Sequence, residues 1–231
     1  MSIQVIGNGG VIADVNGSAY RALSITQRPI DYGLLGQYRM SVDNNGTATG
    51  PNNSTFTARW SDTNSIALFW YVRLDGMYLI SGTPAAAAFQ KLALSMLRNY
   101  TANSAGGSAV TTYITGGNAF YNNQKLRTPM RPSRMADMRI STSASAVVLG
   151  TSTQDSQPVA QVNYRTSTAA ASGLKLRGPT LLYGQQEICQ NAAPLVLVRN
   201  EGFVVQGGIA SMGTVTLAYG YSMAWAEVAI F

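Results

Sequence analysis

The sequence predicts an all-β fold: an antiparallel β-sandwich with jelly-roll-like connections, an N-terminal arm and little helix. Short β-rich segments recur along the chain, and Gly and Asn turn signals separate them. The last segment, TVTLAYGYSMAWAEVAIF, carries bulky residues at odd positions from Val215 to Trp225 and small residues at even positions. This period of two places one face of a strand in the core, and the small face suits close packing. Short strands with frequent turns are typical of sandwiches and jelly rolls.

Residues 1–36 are predicted to form an arm or short strands, and residues 37–231 to form the sandwich domain. The first part lacks strong periodicity and carries turn signals such as Asn16-Gly17. If it is extended, such an arm reaches a neighbouring subunit. The first clear strand is predicted over 36–42, where Tyr38, Met40 and Val42 alternate with polar residues.

The clearest antiparallel unit is predicted between residues 54 and 81. STFTARW and SIALFWYVRL are β-rich, and the dipeptide Asp75-Gly76 predicts a tight hairpin into MYLIS. The next segment is ambiguous, because Thr83-Pro84 and four alanines favour a helix start whereas Leu92 and Leu94 alternate as in a strand. We expect helical turns over 84–89 and then a strand to about residue 100.

In the second half, strands are predicted at MADMRIST, over 158–164, and at LVLVRN and GFVVQG, which a turn at 200–202 separates. A further short strand is expected around 109–115. Residues 167–194 are expected to be irregular, with a helical turn as one option. These strands complete the predicted sandwich.

The chain is poor in charge. Charged residues make up 11% of its 231 residues and hydrophobic residues 46%, against a usual charged share of about 25%. A folded chain of this length forms one domain or two closely packed ones. Its surface is then either polar and uncharged or hidden against other subunits. The net charge is +6 and the isoelectric point about 9.6. Arginine outnumbers lysine by 13 to 3, which favours interface ion pairs over nucleic-acid binding.

Several catalytic chemistries lack their residues in this sequence. It contains no histidine, which excludes Ser-His-Asp and Cys-His catalysis and histidine-bound metals. The single Cys189 is interpreted as a small buried thiol. DNNGTATGPNNS fails the spacing of a calcium loop, and GNGG lacks the rest of a dinucleotide site. We therefore predict no catalytic residues, no metal and no cofactor, with a glycosidase built on paired carboxylates as the last alternative.

The N-terminal sequence MSIQVIGNGG has no basic region followed by an apolar run, so no secretion signal is expected. No 18-residue apolar segment predicts a membrane helix. We expect synthesis in the cytosol and no membrane partner.

The segment KLRTPMRPSRMADMR, residues 125–139, holds five of the 16 basic residues. Pro129 and Pro132 favour an extended loop laid across a partner, with arginines reaching acidic groups and methionines giving adaptable apolar contact. A solvated loop and nucleic acid are the alternatives, and the absence of aromatic residues from the segment disfavours nucleic acid. The predicted partner-binding residues are Arg127, Met130, Arg131, Arg134, Met135 and Arg139.

Several segments resemble landmarks of a family of tailed-bacteriophage virion structural proteins. They are KLRTPM, MADMRIST, DSQPVAQV, PLVLVRNEGFVVQ and WAEV, with a weaker echo in RWSDTNSIALFWYVRL. The resemblance covers residues 125–228. Members of this family are β-rich head and tail proteins of about this length. It carries over no binding residues.

The resemblance implies a structural, non-enzymatic virion protein, assembled in the host cytoplasm. As a capsid decoration or cement protein it would bind the major capsid protein and itself, as a dimer or trimer, with no small-molecule substrate. A tail, connector or baseplate component is the first alternative. A receptor- or glycan-binding spike module is the second, with Tyr113 and Tyr121 as its loop candidates.

Overall fold

The computed structural model of the chain describes residues 4–6, 12–14, 34–44, 47–48, 53–82, 89–110, 119–124, 133–142, 145–165, 174–184, 195–208 and 215–230. The chain divides into two compact units, Met1–Tyr32 and Gly33–Phe231. In the first unit, β1 (Gln4–Ile6) and β2 (Ile12–Asp14) pair antiparallel, with Val5 opposite Ala13.

The second unit is all-β, and its described residues contain strands but no helix. The described pairings between these strands are antiparallel. The strands are β3 (Leu34–Asp43), β4 (Thr47–Ala48), β5 (Asn53–Trp60), β6 (Ser65–Ser81), β7 (Phe89–Arg98), β8 (Ala105–Gly106), β9 (Ser108–Ala109), β10 (Ala119–Gln124), β11 (Met135–Ile140), β12 (Val147–Val148), β13 (Thr153–Gln154), β14 (Ala160–Arg165), β15 (Leu174–Arg177), β16 (Thr180–Gly184), β17 (Leu195–Leu197), β18 (Glu201–Gly208) and β19 (Thr216–Ala229).

These strands build two sheets. The eight-stranded sheet runs β10-β3-β19-β6-β15, with β16 and β17 also paired to β6 and β4 paired to β19. The nine-stranded sheet runs β13-β7-β18-β5-β11-β9, with β12, β8 and β14 joined at its sides. The antiparallel all-β sandwich predicted from the sequence is confirmed. The jelly-roll order of its connections stays a prediction.

The core lies between the two sheets, where aromatic side chains from both inner faces meet. Phe69 of the eight-stranded sheet packs edge-on against Phe203 of the nine-stranded sheet, with ring centroids 5.1 Å apart. Phe56 meets Tyr221 across the same gap at 5.8 Å, and the Tyr221 hydroxyl hydrogen-bonds the Thr55 hydroxyl at 2.8 Å. Offset and edge-to-face pairs are the favoured aromatic geometries. The bulky odd positions predicted for the last strand supply this core, including Leu217 and Met223.

Strand β6 corrects the predicted hairpin at Asp75-Gly76. It runs unbroken for 17 residues through that dipeptide. Gly76 lies opposite Gly220 of β19 and Leu74 lies opposite Tyr221, so Asp75 is the extra residue of a β-bulge. The hairpin prediction was wrong because the long partner β19 pairs with both halves of β6, and a bulge can hold a turn-favouring dipeptide within a continuous strand.

Other predicted elements have mixed outcomes. The strands predicted at 36–42 and 54–60 are confirmed within β3 and β5, and those at 135–142 and 158–164 are confirmed over 135–140 in β11 and 160–164 in β14. The segment expected to be irregular contains β15 and β16, because both pair with the long β6. The turn expected at 200–202 lies earlier, since the Glu201 N–H donates to the Val198 carbonyl and Asn200 has a φ of 61°. The helical turns expected over 84–89 fall on residues outside the described ones, except that residue 89 already begins β7.

The outer face of the nine-stranded sheet carries a second, smaller core. Val204 lies between two inward-facing residues of β18, so it points outward and packs with Leu97 and Tyr100. Arg59 holds the loop above them: its Nε donates to the Tyr100 carbonyl at 2.7 Å and its Nη2 to the Thr101 carbonyl at 2.9 Å. The chain thus covers this face with its own loop.

Candidate functional site

Three of the six residues predicted to contact a partner lie in the described part of the chain. Arg134 directly precedes β11, Met135 begins it, and Arg139 lies near its end. Arg127, Met130 and Arg131 lie outside the described residues. The structure therefore shows the surroundings of the C-terminal half of the basic segment.

A buried carboxylate fixes the chain where this half begins. Glu227 of β19 is only 1% exposed. Its Oε1 accepts hydrogen bonds from the Ser133 hydroxyl at 2.5 Å, the Arg134 backbone N–H at 2.9 Å and Trp225 Nε1 at 3.4 Å. Burial raises the pKa of Glu227 above its ordinary value, although these hydrogen bonds oppose the shift. Glu227 thereby ties the start of β11 to the eight-stranded sheet.

The side chain of Arg134 turns toward its own chain. Its Nη1 lies 2.7 Å from Asp62 Oδ2, and Asp62 also accepts hydrogen bonds from the Ser65 hydroxyl and the Asn64 N–H. Burial alone would raise the pKa of Asp62, but hydrogen bonds from Ser65 and Arg134 outweigh it and lower the pKa. Arg134 therefore links the start of β11 to the β5–β6 connection.

Met135 and Arg139 also make contacts within the chain. Met135 packs against the main core. Arg139 donates from Nη1 to the Gly106 carbonyl at 2.9 Å and pairs with Asp137 at 3.3 Å. Asp137 in turn accepts the Ser104 N–H at 2.9 Å. These side chains connect β11 to the loop that precedes β8, and their contact with a partner protein stays a prediction.

A cleft of about 360 Å³ opens on the outer face of the eight-stranded sheet. Ala218 and Gly220 of β19 form its floor. Asp43, at the end of β3, stands on one side, and Asp75 and Tyr78 of β6 stand on the other. The small residues at even positions of the last strand therefore have two different surroundings. Ala224 and Ala226 are buried, whereas Ala218 and Gly220 leave open space above them.

Two glycines shape this cleft. A Cβ at residue 76 would lie 2.9 Å from Cε2 of Tyr78, so the Tyr78 ring folds back over Gly76. A Cβ at residue 220 would lie 3.6 Å from the Cβ of Asp75 and 4.0 Å from that of Asp43. The two acidic residues therefore flank Gly220 from opposite sides.

The Asp75 carboxylate is held in place by neighbours. Its Oδ1 accepts from Nε of Arg73 at 2.7 Å and from the Ser222 hydroxyl at 2.9 Å. This arrangement offsets the charge of one of the two carboxylates. Tyr78 remains 40% exposed beside it and Ile80 39%, so the cleft combines carboxylates with an accessible aromatic ring.

Sequence reasoning missed both the buried carboxylate and the cleft. Glu227 stands in the apolar run AWAEVA, and that single acid among core residues was the available signal. The sequence does not predict the cleft, because the dipeptide Asp75-Gly76 locally favours a hairpin. Of the tyrosines proposed for glycan binding, Tyr121 lies in β10 rather than a loop, and Tyr113 lies outside the described residues.

No group of three or more Cys, Asp or Glu residues is placed to hold a metal ion in the described part of the chain. Among the same residues, no helix is long and apolar enough to cross a membrane. The chain matches no family model, no curated protein and no solved structure.

Proposed function

We propose that the chain is a structural, non-enzymatic subunit of a tailed-phage virion. In this role it decorates or cements the capsid, binding the lattice of the major capsid protein as a dimer or trimer. The assignment to a phage particle rests on the sequence segments that resemble virion proteins. The assignment to a structural role rests on the surface chemistry of the sandwich.

One observation carries the structural role: arginines of the sandwich bind groups of the chain itself. Arg59 binds loop carbonyls, Arg98 pairs with Asp155 and Glu201, and Arg134 and Arg139 pair with carboxylates near β11. Only 11% of the residues of the chain are charged, and these contacts engage several of its arginines within the chain. The cores of protein interfaces are depleted of charge in the same way.

The fixed point of the chain at Ser133 and Arg134 supports this role as well. A subunit that stabilises a lattice gains affinity when the chain beside its contact residues is already fixed, because less conformational entropy is lost on binding. Glu227 and Asp62 fix the chain at Ser133 and Arg134, directly after the basic residues predicted to contact a partner. In this proposal Arg127, Met130 and Arg131 contact the capsid lattice.

The first experiment is mass photometry of the purified protein, alone and with empty capsid shells. We expect a dimer or trimer that saturates the shells at hundreds of copies and raises their melting temperature. Rings of a few copies that do not bind shells would instead place the chain in the tail, connector or baseplate. Catalytic turnover that an Asp or Glu substitution abolishes would overturn the non-enzymatic role.

A matched pair of variants tests the contact residues. The triple variant Arg127→Ala, Met130→Ala, Arg131→Ala is expected to weaken shell binding at least about tenfold, since each interface anchor contributes a kcal/mol or more. Arg199→Ala removes one exposed arginine from the turn before β18 and is expected to leave shell binding unchanged. Equal binding by the triple variant and the wild type would remove these three residues from the interface.

A further inference from the structure

The cleft on the outer face of the eight-stranded sheet has the chemistry of a small-ligand site. Its volume of about 360 Å³ falls at the lower end of the range for such sites, about 300–1,000 Å³. It lies across the three adjacent strands β3, β19 and β6, beside the end of β3. Sites held by strands keep their geometry better than sites held by loops.

The floor of this cleft is more open than packing requires. Gly220 has ordinary van der Waals room for a Cβ, since its nearest neighbours would be 3.6 and 4.0 Å away. Alanine would fit there, and glycine inside a strand is unfavourable relative to alanine. Gly in a strand often marks a place where a ligand or another chain approaches the backbone.

Tyr78 supplies an apolar platform beside this floor. One side of its ring covers Gly76, because a Cβ at residue 76 would overlap the ring at 2.9 Å. The side chain is nevertheless 40% exposed, so part of the ring surface faces the cleft and solvent. An aromatic ring held in this way can stack with an apolar face of a ligand at little entropic cost.

Hydrogen-bonding groups flank the floor of the cleft on both sides. The carboxylates of Asp43 and Asp75 can accept hydrogen bonds, and the Tyr78 hydroxyl can donate one. The ion pair between Arg73 and Asp75 offsets one negative charge, which leaves a net charge near −1 at the cleft. This charge disfavours anionic ligands.

We propose that this cleft binds a neutral saccharide. The apolar face of one sugar ring stacks on Tyr78, and its hydroxyls donate to Asp43 and Asp75. The floor at Ala218 and Gly220 admits the ring close to the backbone of β19. This inference does not depend on the capsid role, because a subunit of any location could present the groove.

An array of neutral and acidic glycans provides the first test, and calorimetry with the strongest neutral trisaccharide provides the second. We expect binding that weakens at least about tenfold in Tyr78→Ala, because buried aromatic contacts dominate small interfaces. Gly220→Val should abolish binding by filling the floor while keeping a residue that suits a strand. Val148→Ala, at an exposed position of the nine-stranded sheet, is the matched control and should bind as the wild type does.

Thermal unfolding of each variant checks that the fold is retained. The proposal is overturned if no neutral glycan binds, or if binding survives both Tyr78→Ala and Gly220→Val in folded protein. Binding of sialyllactose in place of neutral glycans would overturn it too. The proposal would also be overturned if hexa-arginine bound to the protein and the Asp43→Ala variant lost that binding. Such a result would identify the cleft as a docking site for a basic peptide.

Discussion

The outer faces of the two sheets differ: a loop of the chain covers part of one, and an open cleft lies on the other. On the nine-stranded sheet, Arg59 fastens the loop at Tyr100 and Thr101 over a small core. On the eight-stranded sheet, Gly76 and Gly220 lie side by side and an exposed tyrosine borders an open cleft. The first arrangement satisfies backbone carbonyls within the chain, and the second leaves apolar and polar groups accessible. The covered face is therefore expected to serve stability, and the open face to serve binding.

Both outer faces rest on one shared, tightly packed core, and the largest expected effect lies there. Trp225 is fully buried and stacks on Tyr38 and Phe69 at centroid distances of 5.4 and 5.6 Å. Trp225→Ala should lower the free energy of unfolding by about 3–5 kcal/mol, because it removes packing and leaves a cavity. Urea unfolding measures this, with Val148→Ala as a surface control expected to stay within about 0.5 kcal/mol. A loss below about 1 kcal/mol would contradict a tightly packed core.

The shared core was the part of the molecule most open to sequence reasoning. Alternation in the last strand identified Leu217, Tyr221 and Trp225 as core residues, because a strand repeats every two residues whatever its partners are. The alternation does not show which strands pair with one another. Asp75-Gly76 carried a local hairpin signal, and only the presence of β19 alongside decided that it forms a bulge.

The contacts around β11 and the cleft depend even more on residues that are far apart in the sequence. Glu227 meets Ser133, 94 positions away in sequence, and Arg134 meets Asp62, 72 positions away. Patterns in a single sequence indicate local periodicity and turns, but they do not indicate such long-range contacts. The cleft likewise forms only where β3, β19 and β6 lie side by side, so no short sequence motif predicts it.

The covered face gives the second largest expected effect. Arg59→Ala removes the guanidinium bonds to two loop carbonyls and to Asn103. We expect a loss of about 1.5–3 kcal/mol in the free energy of unfolding, the usual size for hydrogen bonds to a charged group. Hydrogen exchange of the loop amides should accelerate as the loop opens.

Arg59→Lys provides the control for this prediction. Lysine keeps the charge but lacks the planar fork that reaches several acceptors at once, so it should restore only part of the stability. If alanine at position 59 left both stability and loop exchange unchanged, the loop would be held by packing alone, and the contrast between the two faces would be weaker.

The two carboxylates near β11 predict opposite responses to pH. The pKa of Glu227 is raised by burial, so its protonated form favours folding. That contribution is complete below the unfolded pKa and is lost as pH rises through the folded one. Glu227→Gln should therefore gain stability relative to the wild type as pH rises, by about 1.4 kcal/mol for each unit of pKa difference.

Asp62 has a lowered pKa, since hydrogen bonds from Ser65 and Arg134 outweigh its burial. Its contribution is present above the unfolded pKa and is lost as pH falls through the folded one. Asp62→Asn should thus differ most from the wild type near neutral pH, by a small amount because solvent screens the pair. Urea unfolding from about pH 3 to about pH 8 measures both variants. Parallel pH profiles for both variants and the wild type would contradict the assignment.

The smallest expected effect lies on the open face, where stability and binding should separate. Tyr78→Ala removes a side chain that is already 40% exposed, so we expect it to change the free energy of unfolding by less than about 1 kcal/mol. Tyr100→Ala, on the covered face, removes a fully buried ring and should cost about 3 kcal/mol or more. Urea unfolding of the two alanine variants measures this difference directly. Equal losses would mean that Tyr78 supports the sheet as Tyr100 does. A small loss at Tyr78 would instead mean that the protein can give up this ring without unfolding, as a residue retained for contact with a ligand should allow.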